Sequence, residues 1–562
     1  MTQHKGHTMK TIDLHVHSTF SDGTQTPTEL VKEAVACDLR AFALTDHDST
    51  KGIEEALEAA RTYDLEVIPG IELSTALNGK EIHILGHYIN PYNESLSSHL
   101  ERFVQLREER NHKICFLLRE HGIDITYEKL RARFPDAIIT KMHFVVYMLE
   151  QGDIKTIQEG FNKYVGDGAP CYVPRERITP FEAIDLIREA GGLPTFAHPI
   201  LCHYSENELD TLVGELKKAG LAGIESIYST YAPADERLIR KLAAKYDLFI
   251  TGGSDYHGKN KPDISLGKGR GNLFIPEDLL DAMQTKYLEN FSTHEKNLMF
   301  FDMDGTLLND KKQISELTGK ALEEAIKKGH VFSISTGRPL SSIKKLAASL
   351  DLIKYKPLIA AFNGGLIWDS EKDEVINPIM MDHEIAKSII ERIKEIGFHF
   401  HTYSQDEVLA ERETEEVKFY SNYVNLEYRI VPDALEISPN PYKIIIMNLK
   451  DPDALIPIQK EIMNEFGDRL QCLFSNRNFL ELLPLNSGKG QAIHTMCDYL
   501  GIPESNTYAF ADAENDITML VKAAHGVCML NGTAEAKKAA DYITFRTNDN
   551  DGLVPFIQEL TK

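Results

Sequence analysis

Hydrophobic positions in the first half of the chain come as short runs that break into polar clusters: TIDLHVHS, AFALTDHD, LEVIPGIE, EIHILGH, LPTFAHP, LAGIESIY and LFITGGSDYH. Runs of this length, rich in β-branched and aromatic residues, are the pattern of buried strands. Between most of them apolar positions recur at helical spacing, as in PTELVKEAVACD, GIEEALEAARTY and PFEAIDLIREAGG. Strand and helix alternating in this way predict parallel strands in an α/β domain, closed into a barrel given their number. From about 95 to 168 the pattern changes to charged helices such as LERFVQLREERNHKICFLLREHG, a helical insertion over one face of the barrel.

Near NFSTHEKN the alternation starts again. NLMFF reads as a short buried strand, followed by VFSISTGRP, IAAFNGG and YAFADAENDITML. Between Asn363 and Lys489 about 100 residues have separate α/β character, with helices in HEIAKSIIERIKEIG and DALIPIQKEIMNEFG and strands in FHFHTYS, YKIIIMNLK and FLELLPLN. Two domains are therefore expected, 9–292 and 297–562. The second divides into a core of 297–378 and 487–562 and an inserted segment of about 379–486.

Composition agrees with several cores: 562 residues exceed what one hydrophobic core holds. The seven cysteines are dispersed and never form C-x-x-C, so reduced core thiols are expected. No apolar stretch is long enough to span a bilayer, no secretory signal is visible, and a cytoplasmic location with no membrane partner is expected. A formal net charge of −24 repels long nucleic acid yet leaves room for a local pocket taking a short phosphorylated ligand. The helix ERFVQLREERNHK, rich in both signs at i, i+4 spacing, reads as a solvated face.

The polar clusters hold the chemistry. His15 and His17 leave one face of a strand, and Asp22 follows in the next loop. Asp46 and His47 end the second strand, Glu72 ends IPGIE, His83 lies in EIHILGH, His198 ends TFAHP, and Asp255 with His257 repeats the i, i+2 spacing. In a parallel barrel these ends converge on one mouth. Imidazole and carboxylate without thiolate suit two or three ions of Zn²⁺, Mn²⁺ or Fe²⁺, with Glu72 as the candidate bridge. His87 and His203 read as structural. In the second half, Asp302 and Asp304 project from the end of NLMFF, where Gly305 and Thr306 turn backbone N–H groups towards a phosphate. Thr336, Asn363, Lys489, Asp512 and Asp516 sit at later strand ends or loops, and Asn363 joins Gly305, Thr306 and Asn515 as a candidate substrate contact. The HFH of His399 and His401 reads as a sheet face, because no carboxylate-rich strands accompany it.

In order and spacing DLHVHSTFSDG, LTDHD, PGIE, FAHP and GSDYH resemble the motifs of the PHP (polymerase and histidinol phosphatase) superfamily, over Lys10 to Phe291. The resemblance implies one metal held by His15, His17, Glu72 and Asp255, a second by Glu72, His83 and His198, and a third by Asp22, His47 and His257. The nearer likeness is to the group with a helical insertion that acts on nucleoside 3′,5′-bisphosphates and short 5′-phosphorylated RNA. That group carries a phosphate-binding Arg-Pro-His stretch where this chain has ITKMHF, which offers Lys141 and His143. Arg175 in YVPRER is a further candidate phosphate contact, with a surface charge as the alternative.

From Asn297 onward the motifs resemble the haloacid dehalogenase (HAD) superfamily, particularly its Cof-type phosphatases, with 379–486 as a mobile cap. The resemblance implies a Rossmann-like core in which Asp302 is the nucleophile forming an aspartyl-phosphate and Asp304 the general acid and base. Thr336 and Lys489 would hold phosphoryl oxygens. Mg²⁺ would lie between Asp302, the Asp304 carbonyl and Asp512, with Asp516 orienting that shell and Asn515 supporting the loop. Ala511 stands where the subgroup usually has glycine. A bifunctional phosphohydrolase acting on small phosphorylated metabolites or nucleotides is expected. The alternative is that one half senses a phosphometabolite and controls the other; a proofreading exonuclease on long DNA fits the acidic chain poorly. The sequence does not specify an oligomeric state.

Overall fold

The computed structural model describes all residues except 1–9, 136–138, 167, 175–176, 290, 292–293 and 405. The chain divides into two compact units, Met1–Asn290 and Phe291–Lys562. Phe291, which falls in the first domain by sequence, has its ring 5.0 Å from that of Tyr508.

The first unit is built on one sheet whose seven strands follow chain order: β1 (Thr11–Val16), β2 (Leu39–Leu44), β3 (Glu66–Leu77), β4 (Lys80–His87), β5 (Leu193–Phe196), β6 (Gly223–Tyr228) and β7 (Phe249–Gly253). One strand departs from the parallel arrangement. Asn78 and Gly79 both take positive φ, 51° and 79°. This is the two-residue turn that matches the twist of a hairpin. It folds β4 back antiparallel to β3, and β4 is antiparallel to β5 as well. The distortion lies there, and His83 reaches the site from the reversed strand.

The sheet closes where β1 meets the segment leaving β7: Asp255 N donates to His15 O at 2.9 Å and His17 N to Tyr256 O at 3.0 Å. Asp13 holds this seam from inside. Its fully buried carboxylate accepts from Ser254 N and Gly267 N, both at 2.8 Å, and from the Ser254 hydroxyl.

The insertion supplies the helices Glu94–Glu120, Tyr127–Arg133 and Lys141–Gln151. They bury a small core of their own, including Ile114, Leu118, Leu130, Phe144 and Met148. A cluster separate from the main barrel core makes the insertion a subdomain and not a loop.

In the second unit the core sheet takes β8 (Leu298–Phe301), β9 (Val331–Ser335), β10 (Leu358–Ala361), β11 (Leu366–Asp369) and β12 (Glu374–Ile376) before the cap. The cap adds β13 (His399–Tyr403), β14 (Val408–Ala410), β15 (Tyr428–Ile430), β16 (Ile444–Met447), β17 (Leu470–Asn476) and β18 (Phe479–Pro484). The core then resumes with β19 (Thr507–Ala511), β20 (His525–Cys528) and β21 (Tyr542–Ile543). The core order β12-β11-β10-β9-β8-β19-β20-β21 places β8 beside β19, so the loops bearing Asp302 and Asp512 are neighbours. This is a Rossmann-like sheet with its ligand crevice at the carboxyl ends of central strands.

The cap sheet has order β15-β14-β13-β16-β18-β17. Phe400, Ile444, Ile446, Leu480 and Leu482 pack with the cap helices His383–Ile396 and Leu455–Phe466. Alternation then sends His401 and Glu481, both in register with Ile445, to the opposite face. All seven cysteines are free thiols. Among the described residues no helix is long and apolar enough to cross a membrane.

Replacing Asp13 with alanine strands four buried donors at the seam, those of Ser254 and Gly267 and also His15 N, which lies 3.3 Å from Oδ1. We expect the first unit to lose about 3 kcal/mol of stability, read as faster amide hydrogen exchange along β1 and β7. Unaltered protection of those strands would show that the seam does not depend on Asp13.

Candidate functional site

Glu72 sits at the centre of the first site, with its side chain fully buried. Its Oε1 faces His83 Nδ1 at 2.8 Å and His198 Nε2 at 3.1 Å. Its Oε2 lies 3.2 Å from His15 Nε2, His17 Nε2 and His47 Nδ1. One carboxylate thus touches five imidazoles, through both oxygens. Asp255 Oδ1 stands 3.4 Å from His17 Nε2 and 3.6 Å from His15 Nε2, and Asp22 Oδ1 stands 3.1 Å from His257 Nε2. The structure therefore brings all nine candidate ligands together, in overlapping groups of His17, Asp22, His47 and His257; His15, Glu72 and His198; His15, His17 and Asp255; and His47, Glu72 and His83. The backbone of His198 and Asp255 lies at positive φ, 29° and 57°. Conformations that ordinary residues avoid concentrate at functional sites.

The donor set fits divalent metal. His17 Nε2, His47 Nδ1 and His198 Nδ1 are buried with no hydrogen-bond partner among the described residues. Burial opposes charge on His15, His17 and His83, yet neighbouring carboxylates outweigh it. His17 rises to about 9 and His83 to about 10, while Glu225, Glu72 and Asp255 push His15 well above its usual range. Against its own burial, Glu72 is held well below the carboxylate range by His47, His15 and His83. His47 is the exception, lowered by burial to about 4. The cluster draws in positive charge, and divalent cations supply it at these same nitrogens and oxygens.

A layer behind the ligands escaped sequence reasoning. Glu225 Oε1 faces His15 Nδ1 at 3.0 Å while Oε2 accepts from His198 N at 2.7 Å, so one carboxylate sets two ligand residues. A lone acid inside the apolar run LAGIESIY was the available signal. Tyr228 Oη and Lys261 Nζ both donate to Asp255 Oδ2, at 2.6 and 2.5 Å. Asp46 is not among the grouped ligands; it accepts from Ser18 and Ser21 and fixes the loop after β1. His87 Nε2 donates to Leu14 O and its Nδ1 hydrogen-bonds with Thr195 Oγ1 inside the core, and His203 is exposed.

A cavity of about 370 Å³ opens beside this cluster, lined by Asp22, His47, His83 and the cations Arg107, Arg110, Lys141 and Arg177. The helix Glu94–Glu120 therefore contradicts its reading as a solvated face. Positions 107, 110 and 111 share one side, and Arg107 pairs with Asp48 at 3.1 Å while Asn111 Nδ2 donates to Ile139 O. Charge content alone could not tell which side is covered. Lys141 lines the cavity, but His143 does not: its Nδ1 accepts from Thr140 N at 3.0 Å, capping the helix it begins. Arg175 lies outside the described residues.

In the second unit Lys489 Nζ donates to Asp302 Oδ1 at 2.6 Å and also to Asp516 Oδ1. Asp302, Asp512 and Asp516 offer carboxylate oxygens within 4.8 Å of one another. Thr306 Oγ1 donates to Asp512 Oδ1 at 2.7 Å, and Gly305 takes φ 84°, where any Cβ would strike the Asp512 carboxylate. Burial first, then Asp302, pushes both Asp512 and Asp516 upward, and Asp516 Oδ2 has no partner among the described residues. Three carboxylates against one lysine leave room for a divalent cation. Asp304 points elsewhere, to Lys312 Nζ at 2.7 Å and Arg338 Nη2 at 3.0 Å; against burial, these cations lower it. Thr336 is buried beside them and Asn515 half-buried on the turn before Asp516. Asn363 is also buried, its amide donating to Glu481. His399 and His401 hydrogen-bond to each other at 3.0 Å on the cap sheet.

The model of the PHP domain matches residues 13–161, and that of haloacid dehalogenase-like hydrolases matches 299–557. A 5′-3′ exoribonuclease of Haemophilus influenzae is 33% identical over 248 residues, 44% of this chain and 90% of that protein. A 3′,5′-nucleoside bisphosphate phosphatase of Chromobacterium violaceum is 30% identical over 46% of this chain and 91% of its own length. A Streptococcus pyogenes protein provisionally named a phosphatase is 34% identical over 45% of this chain and 94% of its own length.

Glu225 touches no candidate metal directly, so Glu225→Gln should leave the fold intact and weaken metal loading by about 10- to 100-fold. Chelator competition followed by elemental analysis measures it. Metal affinity equal to that of the unaltered chain would remove Glu225 from the site.

Proposed function

The chain belongs to the PHP domain family in its first unit and to the haloacid dehalogenase-like hydrolases in its second, two families of metal-dependent phosphoesterases, and from that premise we propose a division of labour between their substrates. The first unit hydrolyses a phosphoester of a nucleoside 3′,5′-bisphosphate or a short 5′-phosphorylated RNA. The observation that carries this is the pairing, in one cavity, of the imidazole and carboxylate cluster with Arg107, Arg110, Lys141 and Arg177. Such an arrangement holds one phosphate at the reacting centre and sets cationic side chains around a second, which would compete with Asp48 for Arg107 and with Glu81 for Arg177.

His15, His17, Glu72 and Asp255 hold the first ion; Glu72, His83 and His198 the second; and Asp22, His47 and His257, joined by His17, the third. Bound there, Mn²⁺, Zn²⁺ or Fe²⁺ supplies Lewis acidity and a nucleophilic water. The chain's own part is to orient the ester: cations fix the remote phosphate, so the reacting one meets the cluster in a defined direction.

The second unit hydrolyses small phosphomonoesters. Asp302 attacks phosphorus, and Lys489, already at 2.6 Å, orients the attacking carboxylate and neutralises a phosphoryl oxygen. Thr336 and the backbone of Gly305 and Thr306 hold the remaining oxygens. Asp302, Asp512 and the Asp304 carbonyl would hold Mg²⁺, with Asp516 orienting them, and the ion would offset the collected negative charge. Lys312 and Arg338 hold Asp304 as a carboxylate, the form that takes a proton from water. An arriving phosphate competes for those two cations, so Asp304 takes up a proton from solvent and passes it to the alcohol as its P–O bond breaks; as a carboxylate again, it takes a proton from the water that attacks the aspartyl-phosphate and frees Asp302. Neither constellation is broken, which leaves the sensing alternative without support.

Two variants of the full chain separate the chemistries. Asp302→Asn should cut Mg²⁺-dependent hydrolysis of p-nitrophenyl phosphate by about 10⁴-fold or more, with release of phosphate from nucleoside 3′,5′-bisphosphates in Mn²⁺ unchanged. Asp255→Asn should reverse that pattern and lose metal. If either variant abolished both activities or neither, the assignment of one chemistry to each unit would be wrong.

A further inference from the structure

Asn363 reads in the sequence as a substrate contact, but its side chain is already engaged. Nδ2 donates to Glu481 Oε2 at 2.7 Å, and both residues are 3% exposed. Glu481, on cap strand β18, also accepts from Ser475 Oγ at 2.7 Å and pairs with Lys443 Nζ at 3.0 Å. Lys443, just ahead of β16 and 1% exposed, donates to the carbonyl of Gly337 at 2.8 Å. An ion pair of the cap therefore holds two loops of the core, one through a carbonyl and one through an amide.

Those two loops are bonded to each other. Asn363 N donates to Thr336 O at 2.9 Å, Phe362 N to Arg338 O at 3.0 Å, and Thr336 N to Ala360 O at 2.9 Å. A Cβ at Gly337 would lie 2.9 Å from Asn363 Oδ1, so glycine is what lets the amide come this close. The loop held in this way carries Thr336 and Arg338, and Arg338 is the residue that meets Asp304.

Stability does not explain the pair. Desolvating a lysine and a glutamate recovers little or nothing over apolar side chains of the same volume, and the best-attested use of such a pair is to fix register. We propose that Lys443 and Glu481 are positioning residues for the second unit's reaction, an ionic latch by which the cap sets the Thr336–Arg338 loop. This rests on reading that unit as a phosphatase. The latch acts on the phosphoryl end of the substrate, so its effect is independent of the leaving group.

The test uses the full chain carrying Lys443→Met, Glu481→Gln, or Lys443→Met with Glu481→Leu. Each is expected to lower kcat/KM by about 100-fold, by the same factor for acetyl phosphate and for a bulky hexose phosphate, and to raise the inhibition constant of inorganic phosphate. Amide exchange at Thr336, Phe362 and Asn363 should quicken while that of β19 stays slow. The double variant leaves no stranded charge, so it keeps its fold if a single variant does not. A loss confined to the hexose phosphate, with phosphate inhibition unchanged, would make these residues substrate contacts and overturn the latch. Unchanged exchange at the three amides in the double variant would overturn it too. Were the unaltered chain to hydrolyse no phosphate ester, the phosphatase reading would fail by itself, and the exchange result would still decide whether the latch exists.

Discussion

Taking the Glu72 carboxylate out of water costs several kcal/mol unless positive charge meets it. Five imidazoles meet it, and their placement dictates the first unit. They come from β1, the end of β2, the reversed strand β4 and the loop after β5. A one-residue shift in any of these would take its imidazole away from Glu72. The same requirement recurs at other buried acids of this chain: Asp302 and Asp516 share Lys489, and Glu481 has Lys443. Asp13 is met by four neutral donors instead, and it lies at a seam and not at a site.

This economy of positive charge bears on what the protein can bind. The chain carries a formal net charge of −24, yet Arg107, Arg110, Lys141 and Arg177 share one cavity. A long polyanion would meet the repulsive surface outside that cavity; a short phosphorylated ligand fits within it and escapes most of that repulsion. Both proposed substrate classes, bisphosphates and short RNA ends, satisfy this condition.

Much of this was legible in advance, and the boundary has a physical form. Strand ends are local, so the seven strands of the first unit and the nine candidate ligands gathered at its mouth could be read from runs most of which break into His, Asp or Glu. The hairpin at Asn78–Gly79 was also local, but the strand and helix alternation on either side of it favours parallel strands and masks it. What resisted reading were contacts between distant segments. Arg107 and Arg110 sit on a helix charged on every side, and only the packing of the insertion decides which charges face inward. His143 lies beside Lys141 in sequence but turns to cap its own helix. Asn363 follows a strand as a ligand should, and an acid 118 positions later claims its amide. Glu225, Lys443 and Glu481 belong to the same class, being polar residues in apolar strands whose partners are far away in the chain.

The two units use their carboxylates in opposite ways under the proposed reading, and their second layers differ accordingly. In the first, Glu72 never reacts; it must stay still while ions and substrate change around it, so it is fixed by five imidazoles, one of them backed in turn by Glu225. In the second, Asp302 must bond to phosphorus and release it, so it cannot be held from every side. Lys489 grips one oxygen, and the precision that the nucleophile lacks has to come from the groups that hold the phosphoryl oxygens. That places the burden on the loop bearing Thr336 and Arg338. A loop alone is the least rigid part of such a sheet, and a buried ion pair anchored in a neighbouring sheet is a physical means of stiffening it without touching the reacting atoms.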